Sequence, residues 1–156
     1  MRRQSVNRWT LAIACALAFA LPAPSAGQRV LIPMDLTQLE HLKAYGLAFW
    51  VLERGVSLEW LINYRGGSFL VDAHGLIAEE ARIRGITIEV ISEPDAVDIY
   101  ADIEARNMEV IRLDKAPRIA VYTPPNSQPW DDAVTLVLEY AGIEYDRLFD
   151  KEVLDG

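Results

Sequence analysis

The chain is poor in cysteine and histidine: its 156 residues include one cysteine, Cys15, and two histidines, His41 and His74. Cys15 lies in an N-terminal apolar run that we expect to be cleaved, so the mature protein has no cysteine. Disulfides, thiolate catalysis and cysteine–zinc sites are thereby excluded. The two histidines are far apart in sequence and do not form a metal signature. The residues therefore predict no metal site and no cofactor.

The N-terminal segment has the pattern of a secretory signal peptide. An apolar run from Leu11 to Leu21 follows a basic start and precedes prolines and small residues, which is the usual order of such signals. The run is about half of the ~20 apolar residues that a membrane-spanning helix needs. We therefore assign residues 1–27 to a signal peptide. We expect the protein to be exported, to the periplasm or to the medium, without stable membrane insertion after cleavage.

Basic residues are scarce in the rest of the chain. After residue 27 there are twelve lysines and arginines against twenty-three acidic residues, a formal net charge of −11. Nucleic acids and anionic membrane surfaces require a basic footprint on their protein partners. The charge therefore argues against both, and an acidic surface of this kind is sufficient for solubility.

Strand-like and helix-like patterns alternate along the first two thirds of the mature chain. Runs rich in β-branched and aromatic residues predict strands, and apolar residues at spacings of three and four predict helices. The predicted strands are 29–33, 56–64, 86–91 and 108–113, and the predicted helices are 36–53, 73–84 and 92–106. Such alternation predicts an α/β fold with a mostly parallel sheet flanked by helices.

Two of these helices carry specific signals. In the first, apolar positions beginning with Leu36 and Leu39 recur on one face, which we expect to pack against the core. In the third, Ser92 is placed to cap the helix, with a proline in the first turn.

A second unit begins after residues 114–117, where Asp-Lys-Ala-Pro interrupts the pattern. We predict one α/β domain over 28–114 and the start of another over 117–156, with a strand, a helix and a strand between 118 and 150. Asp131 and Asp132 occupy the first turn of that helix, where carboxylates stabilise the helix and would repel an anionic ligand. Val134, Val137, Leu138 and Ala141 are expected to face the core.

The candidate ligand site is the segment Arg65, Gly66, Gly67 and Ser68. Two glycines beside an arginine can present backbone amides and a guanidinium to a small polar or anionic ligand. The same residues also suit a β-hairpin, because apolar runs flank the Gly-Gly pair on both sides. No catalytic residue is assigned, since the chain has no Gly-x-Ser-x-Gly elbow and no phosphate loop.

Three stretches resemble a known family: LKAYG, EWLINYRGGSF and PWDDAVTLVLEYAGI. They are similar to the N-terminal part of larger exported bacterial proteins commonly labelled asparagine synthetase B. The resemblance implies that a class I glutamine amidotransferase-like, flavodoxin-like domain begins near residue 117 and is incomplete at residue 156. The label also implies a glutamine-hydrolysing synthetase, but the N-terminal cysteine and the Ser-Gly-Gly-x-Asp-Ser loop of that enzyme have no counterpart here.

Three functional hypotheses follow, the third of which is the glutamine-dependent synthetase activity that the family label names. In the first, the chain is the N-terminal fragment of a larger amidotransferase-like protein and has no complete active site of its own. In the alternative, it is a small periplasmic α/β module that binds a polar ligand at Arg65 to Ser68.

Overall fold

The computed structural model describes residues 27–124 and 132–155, and its largest element is a five-stranded sheet. The strand order is β4-β1-β3-β2-β5, and every neighbouring pair is antiparallel. The strands are β1 (Gln28–Ile32), β2 (Leu58–Ile62), β3 (Ser68–Asp72), β4 (Glu89–Ser92) and β5 (Glu109–Leu113).

The expectation of a mostly parallel sheet, drawn from the alternating pattern, is therefore wrong. The helix between β1 and β2 does return the chain in the same direction, as a crossover should. However, the two strands are not neighbours, because β3 lies between them and runs the other way. In the same manner, β1 lies between β3 and β4. This is the split β-α-β arrangement of ferredoxin-like folds, extended here by β5.

Helices cover both faces of this sheet. Helices α1 (His41–Glu53) and α2 (Gly75–Arg84) pack on one face, and their core includes the buried side chains of Ile32, Leu47 and Val71. Helix α3 (Glu93–Ala105) packs on the other face, over a smaller core that includes Leu31 and Leu70. We refer below to the α1 face and the α3 face.

The beginning of α1 differs from the expectation. Leu36 and Leu39 precede the helix, which begins at His41, and they are 98% and 83% exposed instead of buried. The segment before the helix is held by the buried Gln38, whose side-chain amide donates to the carbonyls of Pro33 and Thr87 at 3.0 and 3.1 Å. A polar side chain thus fixes this segment while its leucines face solvent.

The predicted start of α3 is confirmed. Ser92 is its N-cap residue, its side chain accepts a hydrogen bond from the Asp95 amide, and the Asp95 carboxylate accepts one from the Ser92 amide. This reciprocal pair is a capping box, and it satisfies two amides that would otherwise lack partners.

The second region is smaller and includes a parallel pair of strands. Strands β6 (Ala120–Tyr122) and β7 (Asp146–Leu148) pair with each other, and α4 (Ala133–Ala141) and α5 (Asp150–Asp155) complete the region. Helix α4 packs on α1 at Gly46, where a side-chain Cβ would overlap the carbonyl oxygen of Ala141. A hydrogen bond of 2.6 Å from the Tyr140 hydroxyl to the Glu40 carboxylate reinforces the contact.

The apolar face expected for α4 is only partly buried. Thr135 and Ala141 are its buried residues, whereas Val134 and Val137 are 56% and 42% exposed, so the expectation for these two valines is wrong. The helix has too few neighbours to cover its apolar surface. Across the described residues, no helix has the length and apolarity needed to cross a membrane.

Candidate functional site

The segment Arg65 to Ser68 forms a hairpin turn between β2 and β3. Gly66 and Gly67 have φ values of 83° and 92°, a region that favours glycine. A Cβ at Gly66 would also overlap the carbonyl oxygen of Met34. The glycines are therefore required by the turn itself, which is the hairpin interpretation of the sequence.

Arg65 is paired within the protein. Its Nε donates to the Asp35 carboxylate at 2.6 Å, and its two Nη atoms donate to the Glu89 carboxylate at 2.8 Å each. The hydrogen bonds with Glu89 and Asp35 raise the pKa of Arg65, and the bond with Arg65 holds the pKa of Asp35 well below its usual range. The guanidinium that the sequence suggested as a ligand-binding group is thus hydrogen-bonded to two carboxylates of the protein itself.

Ser68 has internal partners as well. Its buried hydroxyl donates to the carbonyl of Arg65 at 3.2 Å and accepts from the amide of Met34 at 3.3 Å. The structure therefore brings Arg65, Gly66, Gly67 and Ser68 together, but it directs the arginine and the serine toward the protein.

The other residues considered from the sequence have separate places. Asp132 is the N-cap of α4, and its carboxylate accepts from the Val134 amide at 2.9 Å, whereas Asp131 lies outside the described residues. His41 lies 3.1 Å from the carbonyl of Asp35, and His74 precedes α2. Among residues 27–124 and 132–155, no group of three or more histidine, cysteine or carboxylate side chains is placed to hold a metal ion.

A charged cleft on the α3 face was missed by the sequence analysis. It has a volume of about 240 Å³ and lies beyond the end of the apolar core under α3. Its charged side chains are Arg29 on β1, Glu59 on β2, Asp72 on β3 and Arg112 on β5. The strand register places them on one face, because Arg29 is opposite Asp72 and Glu59 is opposite Arg112.

Tyr100 of α3 links the cleft to the helix. Arg29 Nη1 donates to the tyrosine hydroxyl at 2.6 Å and to the Glu59 carboxylate at 3.2 Å, and the tyrosine hydroxyl donates to the same carboxylate. Burial and the hydrogen bond to Glu59 raise the pKa of Tyr100 to about 12. The phenol therefore stays protonated at neutral pH and acts as a donor.

The open side of the cleft faces Arg112 and Asp72. Arg112 Nε donates to Asp114 at 2.7 Å, and both Arg112 and Asp72 are largely exposed. The ladder between β2 and β3 ends at the Glu59–Leu70 pair, so the next residues of both strands border the cleft. Arginines and carboxylates around an open slot can hold a small polar molecule. The serine that lines the cleft, Ser57, donates its hydroxyl to Asp114 at 3.0 Å, and no histidine lies beside it among the cleft residues.

A separate apolar depression lies in the second region. Its volume is about 400 Å³, and it is bordered by Tyr122, Asp150, Val153 and Leu154.

Comparison of the chain with protein-family models, with curated proteins and with solved structures finds no match.

Proposed function

We propose that this chain is the N-terminal part of an exported amidotransferase-like protein and that it has no complete active site of its own. In this proposal residues 118–155 supply the first strand-helix-strand unit of a larger parallel sheet. The observation that carries the proposal is the parallel pair β6–β7, whose connecting helix α4 packs on α1 and leaves most of its apolar side chains in solvent.

A two-stranded parallel sheet is expected to have little stability of its own. Parallel strands occur almost only in sheets whose two faces are covered by helices, and an isolated pair of strands is marginally stable in water. Here the apolar side chains Leu136 and Tyr140 on α4 and Leu154 on α5 are about half exposed or more. Further strands and helices beside β6 and β7 would bury this surface, as in the larger sheet implied by the family resemblance.

The first region serves as the support for this unit in our proposal. Helix α1 is fixed against the large sheet by buried residues such as Leu47 and Val51. Its outer side receives α4 at Gly46, where the lack of a side chain allows the two helices to approach closely. A rigid support of this kind would hold the unfinished unit in one orientation for its additional strands.

Catalysis is assigned to residues outside this chain. The mature sequence has no cysteine to act as an amidotransferase nucleophile, and the cleft residues form internal ion pairs. We therefore expect the purified chain to show no hydrolysis of glutamine.

The test is to sequence the gene beyond the codon for Gly156 and to compare the product of the whole reading frame with the 156-residue chain. We expect the frame to continue through a cysteine-bearing nucleophile elbow. In the longer product, amides of β6, β7 and α4 should exchange hydrogen at least tenfold more slowly than in the short chain. A stop codon directly after Gly156, or equal exchange in both proteins, would contradict the proposal.

A second candidate function is binding of a small polar ligand, and the charged cleft favours it. A thermal-shift screen of small charged molecules at pH 7 tests this candidate. A ligand that stabilises the protein should lose its effect in Arg112→Ala, which alters a largely exposed side chain at the cleft. It should keep its effect in Arg118→Ala, an exposed arginine paired with Asp146 in the second region. Equal loss in both variants would indicate general electrostatic attraction and would remove the candidate.

A further inference from the structure

Strand β5 leaves one edge of the large sheet open. It pairs with β2 through all five of its residues, and none of the described elements pairs with its other side. Val110 and Ile111 are 38% and 39% exposed there. Exposed edge strands are templates for pairing with another strand, so the direction of the free backbone groups on β5 becomes important.

The hydrogen-bonding phase of the sheet gives that direction. In an antiparallel ladder, alternate residues exchange backbone hydrogen bonds with one neighbouring strand, and the residues between them face the other side. The Ala73 amide donates to the Gln28 carbonyl at 3.0 Å, which sets the phase between β1 and β3. If the same alternation is followed along β3, the backbone N–H and C=O of Leu70 point toward β2.

The same alternation reaches β5. Glu59, opposite Leu70, bonds to β3, so the next residue, Trp60, bonds to β5 at its partner Ile111. The backbone N–H and C=O of Ile111 therefore point into the sheet. Those of Val110 and Arg112, on either side of Ile111, point away from the sheet and are free to pair with another strand.

The opposite edge of the sheet is less suited to pairing. Strand β4 has four residues, and its last residue, Ser92, already caps α3. By the same alternation, Glu89 and Ile91 form backbone hydrogen bonds with β1. The backbone groups of Val90, which lies between them, point away from the sheet. An added strand would therefore find fewer free groups along β4 than along β5.

We propose that β5 pairs in antiparallel fashion with β5 of a second copy of this chain, with Ile111 on the two-fold axis. This register opposes Val110 of one copy to Arg112 of the other, so outward-pointing groups meet each other. It also overlaps the whole of β5 and continues the α1 face and the α3 face across both copies. The result is one ten-stranded antiparallel sheet.

Charge and apolar contacts favour a second copy as the occupant. In this register Glu109 is opposite Leu113 and Val110 is opposite Arg112, so no two like charges are directly opposed. The two Arg112 side chains are diagonal neighbours, and each is already paired with its own Asp114. The two Ile111 side chains meet at the axis beside Trp60 and cover apolar surface that is exposed in the monomer.

A cysteine substitution at the axis tests the register. Ile111 and its copy form a pair without mutual hydrogen bonds, whose Cα atoms lie about 4.5 Å apart in such ladders, within the range of a disulfide. In a Cys15→Ala background, Ile111→Cys is expected to form a covalent dimer under mild oxidation, seen on a non-reducing gel. The matched control Val110→Cys lies opposite Arg112 and should give at least tenfold less dimer. Equal crosslinking of the two variants would overturn the proposal.

A proline substitution tests the backbone pairing without an added thiol. The outward amide of Val110 makes no bond within the sheet, so Val110→Pro removes a donor only from the proposed interface. Sedimentation velocity is expected to show a dimer for the parent protein and for Val90→Pro, and at least a tenfold weaker dimer for Val110→Pro. A monomeric parent at 100 µM would contradict the proposal, because this concentration is about a hundred times the ~1 µM dissociation constant of a moderate dimer. A Val110→Pro dimer of unchanged affinity would also contradict it, since the interface would then lie elsewhere.

Discussion

The two regions of this protein contrast in how far each buries its own apolar surface. Residues 27–113 place strands and helices around two apolar cores, one on each face of the sheet. Residues 118–155 have a similar apolar content, yet within the described residues every buried apolar side chain except that of Ala141 belongs to the first region. The difference lies in the number of neighbouring elements, not in hydrophobicity.

This contrast shows why a strand-helix-strand unit is not a folded domain by itself. In the first region, β3 inserts between β1 and β2 and supplies both hydrogen bonds and a covered face. In the part of the second region that the structure describes, β6 and β7 pair only with each other. The free energy of unfolding should therefore be concentrated in the first region, and the second should follow local equilibria of its own.

The largest expected effect separates the two regions directly. Leu47 is buried on α1, so Leu47→Ala should lower the free energy of unfolding by about 2–5 kcal/mol. Leu136 on α4 is half exposed, so Leu136→Ala should change it by less than about 0.5 kcal/mol. Urea denaturation followed by tryptophan fluorescence measures both. Similar losses in the two variants would show that α4 is part of the main cooperative unit.

The next variant is designed to separate the regions. In Gly46→Ala, the new methyl group overlaps the Ala141 carbonyl, and such overpacking costs about 1–3 kcal/mol at the contact between α1 and α4. Helix α1 itself should gain up to about 1 kcal/mol from the replacement of glycine. We expect faster hydrogen exchange in α4 together with an unchanged or higher main unfolding transition. Loss of the main transition would show that the two regions fold as one.

A smaller effect is expected from the ion pairs at the hairpin turn of the first region. Arg65→Ala leaves the Asp35 and Glu89 carboxylates without their partner, which should cost about 1–2 kcal/mol at pH 7. Because the folded-state pKa of Asp35 is depressed, its contribution is present above the unfolded pKa of ~3.9 and is lost as the pH falls below it.

The pH dependence distinguishes this mechanism from a loss of packing. Between pH 7 and pH 3, the parent should lose more stability than Arg65→Ala, and the curves of unfolding free energy should approach each other at low pH. Parallel curves for the two proteins would show that Asp35 does not depend on Arg65.

The smallest effect concerns the caps of two helices. Ser92→Ala and Asp132→Ala each remove a side-chain bond to a helix amide, worth about 1 kcal/mol. Ser92→Ala should lower the midpoint of the main unfolding transition, since α3 covers one face of the sheet. Asp132→Ala should leave that transition in place and change only the exchange rates of α4. A lower main transition in both variants would remove the distinction between the regions.

Local features of the fold were predictable from the sequence, whereas the strand order was not. The cap at Ser92 depends on a few adjacent residues, and it occurs where expected. The position of β3 between β1 and β2 depends on contacts between residues far apart in the chain. The Gly66–Gly67 turn indicated that β2 and β3 form a hairpin, but the alternating pattern outweighed this signal and led to a parallel sheet.

The candidate site shows the same division. Arg29, Glu59, Asp72 and Arg112 each lie near the end of an apolar strand, and their positions in sequence do not suggest a common cleft. Only the register of four strands places them on one face. Conversely, Arg65 was identified by its glycine neighbours, but its partners Asp35 and Glu89 are distant in sequence and could not be anticipated.

Native-state hydrogen exchange, followed by mass spectrometry at pH 7, tests the central contrast most directly. We expect peptides of β1, β2 and β3 to exchange only through global unfolding, and peptides of β6, α4 and β7 to exchange at least a hundredfold faster, through local opening. Equal protection of both regions, lost together in one transition, would contradict this account, because residues 118–155 would then belong to the same cooperative unit as residues 27–113.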